Sequence, residues 1–385
     1  MAAIGSSVLG VYNPIFYANE ALIHLESALG MASRVHRGFD SERQSFGKGD
    51  TINIRKPQTF SAADAPATAA GLDTETTAIT LDNWREVKFA LNDKELAFTG
   101  QRIIDDHIRP AAYALADDID LKLCGLWDDI PTATAYNADP TVNMTAARKA
   151  LLDNKVPLTP GQLHMMLDTT GEQDALKNSA FTQHQGAGDA GVASQMMGSL
   201  GTKFGFESFT NQNVQTGIAA GASDVAGAVD NGAGYAVGTT TVHIDAIENQ
   251  TYNAGAILTF TTGGVTHAYT LAASTATGGT EADFVLASPL RIALVDDDAV
   301  AITAIDAKSE MLAFHKNAFA LCMAPLPEMG NELGAKVATV SDPITGLAVR
   351  SRVYYVGNTS QVHVALDCLY GVKTLDPLMA VRCRR

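Results

Sequence analysis

Cysteine is scarce: 385 residues hold only Cys124, Cys322, Cys368 and Cys383. They are scattered, with no C-x-x-C pair and no histidine pattern nearby, so neither a disulfide framework nor a zinc site is indicated and packed, reduced thiols are expected. Long hydrophobic runs are missing too. No stretch of 18 or more apolar residues occurs, and Met1-Ala2-Ala3-Ile4-Gly5 lacks the basic and apolar regions of a signal peptide. The expectation is a chain that stays in the cytoplasm where it is made, with no membrane partner. Positive charge is also short: 27 Lys and Arg face 42 Asp and Glu, a formal net charge of −15. Tight nucleic-acid binding needs clustered cations that displace counterions from phosphates, so this chain is no DNA reader.

Hydrophobic residues are plentiful at 46%, enough for a real core, and the length allows two or three domains. Leu22, Leu25, Leu29 and Ala32 recur at helical spacing and predict an amphipathic helix over 18–35. Thr51-Ile52-Asn53-Ile54-Arg55 alternates with period two and ends near Pro57, and Val87, Phe89 and Leu91 offer it a partner strand. Between them, Ser61–Thr76 has too little bulk to pack a core, so 48–92 reads as one long projecting hairpin. Ile104, Ile108, Ala112, Leu115, Ile119 and Leu123 predict a long helix over 101–130, which Pro110 either bends or starts. A shorter helix over 145–154 and an apolar strand over 163–167 follow. Residues 217–308 differ in kind: 11 of the 33 glycines lie there, and ten acidic residues face only Arg291 and Lys308, a net −8. Short β-rich runs separated by Gly263-Gly264 and Gly278-Gly279 make this a small all-β insert in an α+β host. Leu347–Val356 and Gln361–Cys368 flank a turn at 357–360 and form a hairpin, with Arg350 and Arg352 on the face opposite Val349 and Val353.

Motifs that could carry chemistry have plainer explanations. Gly186–Gly191 matches G-x-G-x-x-G, but Gln183-His184-Gln185 stands where a dinucleotide site needs a buried strand. Asp296-Asp297-Asp298 lacks the spacing of a calcium loop and reads as a solvated acidic turn. Asp105-Asp106-His107 and Asp117-Asp118 read as the polar side of the long helix, and the nine histidines assemble no triad. Sequons at Asn143, Asn249 and Asn358 are chance matches without secretion. No catalytic residue, metal or cofactor is expected, and the chain reads as a non-enzyme. An amphipathic terminal helix and a coreless hairpin both need a surface to lie on, and another copy of the chain supplies one. Leu22, Leu25 and Leu29, with Ile52, Ile54, Val87 and Phe89, are the expected intersubunit contacts.

Several segments resemble, in order, the coat proteins of short-tailed double-stranded-DNA phages of enteric bacteria. They are Gly49–Pro57 with the Ala-rich tract after it, Arg102-Ile103-Ile104 leading to Pro110, Leu115–Asp120, Ala313–Ala320 and Asp367–Leu375. The resemblance covers most of the chain outside 217–308. It implies an α+β subunit with the major capsid protein fold of tailed phages and herpesviruses, carrying a small all-β inserted domain. The parts would be an N-terminal arm (1–47), an extended loop (48–92), a peripheral domain with a long spine helix (93–140 completed by 346–385) and an axial domain (141–216 completed by 309–345). It further implies self-assembly into the pentamers and hexamers of an icosahedral head, scaffolding protein and portal as partners, and packaged DNA enclosed without specific binding. An acidic chain suits a container whose lining must not grip phosphates. A hydrolase with a β-rich carbohydrate-binding insert and a tail-tube or adhesin protein are the alternatives; a dense polar pocket with perturbed carboxylates would favour the first.

Overall fold

A computed structural model describes residues 14–37, 51–55, 64–65, 76–92, 107–183, 189–217, 224–303, 307–328, 335–342, 346–359 and 361–385. Helices α1–α6 and strands β1–β21 are numbered in chain order. The chain divides into two compact units, Met1–Asp120 with Ala320–Leu375 and Leu121–Phe319 with Asp376–Arg385. This division cuts across the expected domain boundaries. Residues 320–345 group with the first unit rather than with 141–216, and 376–385 group with the second rather than with 93–120, because strand pairing decides membership.

In the first unit, α1 (Pro14–Ala28) turns Ala18, Ala21, Leu22 and Leu25 to one side, where all are buried, and the helix packs on β18 (Lys336–Ser341) and β19 (Ala348–Val356). It starts and stops earlier than the spacing of its leucines predicts. Gly30 follows it, and a 3-10 turn over Met31–Ser33 takes over. The sheet runs β17 (Phe319–Ala324), β20 (Gln361–Thr374), β19, β18. The expected hairpin of β19 and β20 is present. Its polarity is not as expected, since Arg350 is buried with Val349.

The partner expected for β1 (Thr51–Arg55) is corrected. β1 pairs with β2 (Thr76–Thr80), Ile52 lying opposite Ile79, while Val87 and Phe89 belong to β3 (Asn83–Asn92), which pairs with β20. Four of the five residues of β2 are β-branched, which suits a strand. A ten-residue β3 finds its full length only on the fourteen-residue β20. Residues 61–63 and 66–75 of the tract fall outside the described residues.

Gly371 of β20 explains one of the motifs. A Cβ there would lie 2.3 Å from the carbonyl oxygen of Thr80, so only glycine lets β2 cross so closely. Helix α2 (Arg109–Cys124) has Pro110 in its first turn, so the proline marks a start and not a bend; Ile104 lies outside the described residues.

In the second unit, a sheet runs β4 (Ala133–Ala135), β21 (Ala380–Arg384), β16 (Glu310–His315), β5 (Leu163–Leu167), β7 (Phe206–Thr210), β6 (Thr202–Lys203). The five residues of β5 are all buried, as the continuous apolar run requires of an interior strand. Helix α3 (Pro140–Asp153) begins five residues before the expected 145: Asp139 caps it by accepting from Thr141 N at 2.9 Å, and Pro140 opens its first turn. With α4 (Thr169–Lys177) and α5 (Ser179–Thr182) it completes a core of Met144, Leu151, Met165, Phe181, Phe206, Met311 and Val381, and α6 (Asp189–Met197) follows. Residues 189–191 of the glycine-rich motif start α6, and 186–188 lie outside the described residues.

Between β7 and β16 the chain forms a second six-stranded sheet. Its order is β12 (Val265–Thr270), β11 (Ile257–Thr262), β15 (Ala299–Thr303), β8 (Val225–Val229), β9 (Thr241–Asp245), β14 (Ala282–Val285), every pair antiparallel. A two-stranded pair, β10 (Thr251–Tyr252) with β13 (Thr275–Ala276), sits beside it in sequence. Gly263 and Gly264 both have positive φ, the turn geometry a two-residue hairpin needs. Phe260 packs edge-on to Tyr269 and Tyr252 to Phe284 inside. Gly217 N bonds Lys308 O at 2.9 Å, so the insert leaves and re-enters its host at one point.

Replacing Gly371 by alanine should destabilise the first unit by about 1–3 kcal/mol, the usual cost of forcing atoms into a packed site. Gly357→Ala, at a glycine with open space around it, should unfold like the parent. Equal thermal midpoints for both variants would contradict the crossing described.

Candidate assembly surfaces and the polar joints behind them

The structure uses most of the expected contact residues internally. Leu22, Leu25 and Leu29 are buried against the sheet of their own unit, and Ile52 and Ile54 form a small core with Ile79, Leu81, Ala320, Cys322 and Ala324. Each such burial contributes about 1.5–3 kcal/mol, which these side chains lack the surface to give twice. Within one subunit these five side chains belong to its own core, and their role as intersubunit contacts stays an expectation. Val87 and Phe89 are half-buried, and the Phe89 ring lies 5.3 Å from that of His107. Phe16 and Ile23, two turns apart on the face of α1 away from Leu25, are exposed by 47% and 61%, and Trp84 on β3 by 59%. Among the described residues of the first unit they are exposed large apolar groups, together with Ile15, Tyr113 and Tyr355.

Behind Trp84 lies a charge network. Asp367 on β20, fully buried, receives Arg350 Nε on Oδ1 at 3.0 Å and Arg350 Nη2, Arg352 Nη2 and Trp84 Nε1 on Oδ2. Arg350 Nη1 also donates to Pro327 O at 2.9 Å. A neighbouring network ties α2 to β20: Asp118 accepts from the Tyr370 hydroxyl and pairs with Arg85 at 3.0 Å. Burial and Asp118 push the Tyr370 phenol above its usual range, and burial raises the Cys368 thiol to about 12. Asp120, two residues further along α2, is buried and accepts from Gly30 N at 2.6 Å and Ala32 N at 2.9 Å, closing the loop after α1 onto α2. Desolvation raises its pKa despite those bonds. Asp118 is thus engaged rather than solvated, as its place in Asp117-Asp118 had suggested. Counting six residues back from each side of the 357–360 turn pairs Arg350 with Asp367, a signal the alternation of the strand had hidden.

The second unit has its own joint, between the insert and its host. Arg382 on β21 is wholly buried, donates from Nη2 to Gly255 O at 3.1 Å and lies over the Trp127 ring. Glu310, almost wholly buried, takes Arg384 Nε at 3.2 Å. Burial pulls Arg382 down to about 10 and raises Glu310, whose nearness to Arg382 and Arg384 opposes the rise. Asp128 is pushed up to about 6 by burial and by Asp129 beside it. Gly255 must be glycine: its φ is +83°, and a Cβ would meet Asp128 Cβ at 2.9 Å. A polar cavity of about 340 Å³ is lined by Asp168, Asn211, Ser309 and Arg385 among others. Its carboxylate is committed, since Asp168 accepts from Gly171 N at 2.6 Å as the cap of α4 and pairs with Arg385 at 3.4 Å. The perturbed carboxylates Asp120, Asp128 and Glu310 line none of it; they sit at structural joints.

No family model and no curated protein matches the chain. A structure from Mycobacterium phage Che8 does: at 14% identity it covers 92% of this chain and 90% of that one, with a TM-score of 0.51. The fold is that of tailed-phage capsid subunits. The capsid of Ralstonia phage GP4 (10% identity, 92% and 89% covered, TM-score 0.46) and that of cyanophage P-SCSP1u (11%, 88% and 84%, 0.45) align more loosely. A likeness at this identity concerns the fold and leaves function to be argued from surfaces.

A pH series tests the joint at Asp128. Its folded pKa of about 6 lies above the ordinary value of 3.8, so its contribution is full below that value and is lost as pH rises through 6. Asp128→Asn should flatten the decline in stability between pH 4 and 7 and gain on the order of 1–3 kcal/mol at neutral pH. Parallel stability curves for parent and variant would show that Asp128 is not the titrating group.

Proposed function

We propose that this chain is the major capsid protein of a tailed double-stranded-DNA phage, self-assembling as pentamers and hexamers into an icosahedral head. The observation that carries the reading is the capsid fold extending over nine-tenths of both chains in the Che8 comparison. The ordered motifs support it independently, and they alone point toward the short-tailed phages of enteric bacteria. No described helix is long and apolar enough to cross a membrane. The hydrolase alternative gains nothing from the structural neighbours or from the committed Asp168.

On this reading the mature location is the virion, after assembly in the host cytoplasm. Scaffolding protein and a portal serve as assembly partners, and DNA is enclosed without specific contacts. The regions 1–47, 48–92 and 217–308 act as arm, loop and insert. Contacts between copies use Phe16, Ile23, Trp84 and the half-buried Val87 and Phe89. A subunit that touches many neighbours needs only weak individual contacts, and weak contacts let misplaced copies leave. The net −8 of 217–308 turns that segment outward, away from the packaged phosphates.

Purified protein, alone or with its scaffolding partner, should sediment as capsomers or closed shells, visible by negative-stain microscopy; a strict monomer under all these conditions would overturn the reading. The double substitution Phe16→Ser with Ile23→Ser should leave thermal stability within about 0.5 kcal/mol, as exposed positions do, and abolish closure. Normal shells from that variant would remove α1 from the contact surface. Antibodies against 217–308 should label intact heads, and labelling confined to broken heads would reverse the proposed orientation.

A further inference from the structure

The insert carries a constellation that shell building does not use. β8, β9 and β14 lie side by side, with Val229 opposite Ile244 and His243 opposite Asp283. The next step of the first register sets Asp230 against His243, where Asp230 N bonds His243 O at 3.2 Å. Successive side chains of a strand alternate between faces. Val242, Ile244 and Phe284 therefore fill the core, while His243, Asp283 and Glu281 emerge together with Asp230 on the outer face. β9, β14 and the residues flanking β8 and β14 thus deliver one imidazole and three carboxylates to a single patch.

The imidazole is oriented. Its Nδ1 lies 2.7 Å from Asp283 Oδ1, which as a carboxylate accepts the Nδ1 proton; in the neutral ring Nε2 then carries the lone pair. Nε2 then faces Asp230 Oδ2 at 3.8 Å and Glu281 Oε2 at 3.9 Å. A carboxylate holding the far nitrogen of a histidine is the usual support of a metal-bound imidazole. Two ligands sharing one zinc ion at about 2.0–2.2 Å sit at most about 4.2 Å apart, a limit that both imidazole–carboxylate separations meet. The ligand atoms of Asp230, His243 and Glu281 all lie within 4.8 Å of one another. Among the described residues, no lysine or arginine pairs with these carboxylates. Three acids around one imidazole keep an excess of negative charge even when that imidazole is protonated.

The geometry points to a divalent-cation site on the insert, with Asp230, His243 and Glu281 as ligands to an ion of the zinc class and Asp283 as the positioning residue. Water completes the shell on the exposed side. Mixed nitrogen and oxygen donors suit zinc better than calcium, which prefers oxygen alone. The ion would fasten β14, an edge strand of four residues, to β9 and β8. It would hold the outermost strand of a sheet whose edge is otherwise short and open to fraying. This departs from the expectation of no metal, which rested on spacing in sequence; the ligands come from β9 and from the residues flanking β8 and β14, and lie up to 51 residues apart.

Calorimetric titration of zinc chloride into the full chain, stripped with chelator, tests it. One equivalent should bind. His243→Ala should weaken binding at least tenfold, and Asp283→Asn, which keeps all three ligands but loses the orienting acceptor, by about 10–100-fold. His267→Gln, elsewhere in the insert, should bind like the parent. Circular dichroism of each metal-free variant should match that of the metal-free parent, since the substituted groups lie on the outer face. Calcium should give far less heat. Absence of stoichiometric zinc binding, or a His243→Ala chain that binds as the parent does, would overturn the site and leave His243 as a charged clamp among acids. Neither result bears on shell assembly.

Discussion

Asp367 is the point on which the first unit depends. A carboxylate wholly removed from water costs several kcal/mol unless it is paired, and removing one partner of such a pair typically costs about 3–5 kcal/mol. Here the bidentate Arg350 sits across the β19–β20 register, Arg352 adds a second cation, and Trp84 of β3 donates to the same oxygen. Three strands are thereby held in one register, because a slip by one residue would leave Asp367 buried without Arg350. A sheet of valine and leucine alone would bury as much apolar surface, yet it would specify its alignment less strictly.

Around that centre the polar groups act as locators rather than as chemistry. Asp118 and Asp120 lie two residues apart on α2, and one reaches Tyr370 while the other receives the loop after α1. The helix is thus fixed against both the sheet and the arm. The second unit repeats the device at Arg382, whose guanidinium meets the Gly255 carbonyl of the insert. Raised carboxylate pKa values in this protein therefore report buried joints. None of these carboxylates lines the polar cavity beside Asp168, whose own carboxylate pairs with Arg385 and caps α4.

Economy of exposed apolar groups follows from the same packing. The leucines of α1 are needed to close the unit's own core, so the large apolar groups this helix exposes, Phe16 and Ile23 among them, lie on its other face. A subunit that folds with its core complete and holds a few apolar groups outside can be stable alone and still associate reversibly.

The sequence by itself determined whatever depends on local spacing. Period-two alternation placed β1 and the β19–β20 hairpin, the continuous apolar run placed β5, Pro110 marked the start of α2, and the glycine and charge bias marked 217–308 as a separate β-rich segment. Element ends decided by a single cap, such as Asp139, were off by several residues, because a cap is one hydrogen bond within a long pattern. Only the tertiary structure decided which strand pairs with β1, since Ile52 could satisfy its alternation against Val87 or Ile79 and the choice fell to β20, whose length claims β3. It also decided that Leu22, Leu25, Leu29, Ile52 and Ile54 face inward, because periodicity reports that a face is apolar and not what covers it. The Asp230, His243 and Glu281 cluster was invisible for the same reason: strand register, which joins residues dozens of positions apart, is a property of the assembled sheet.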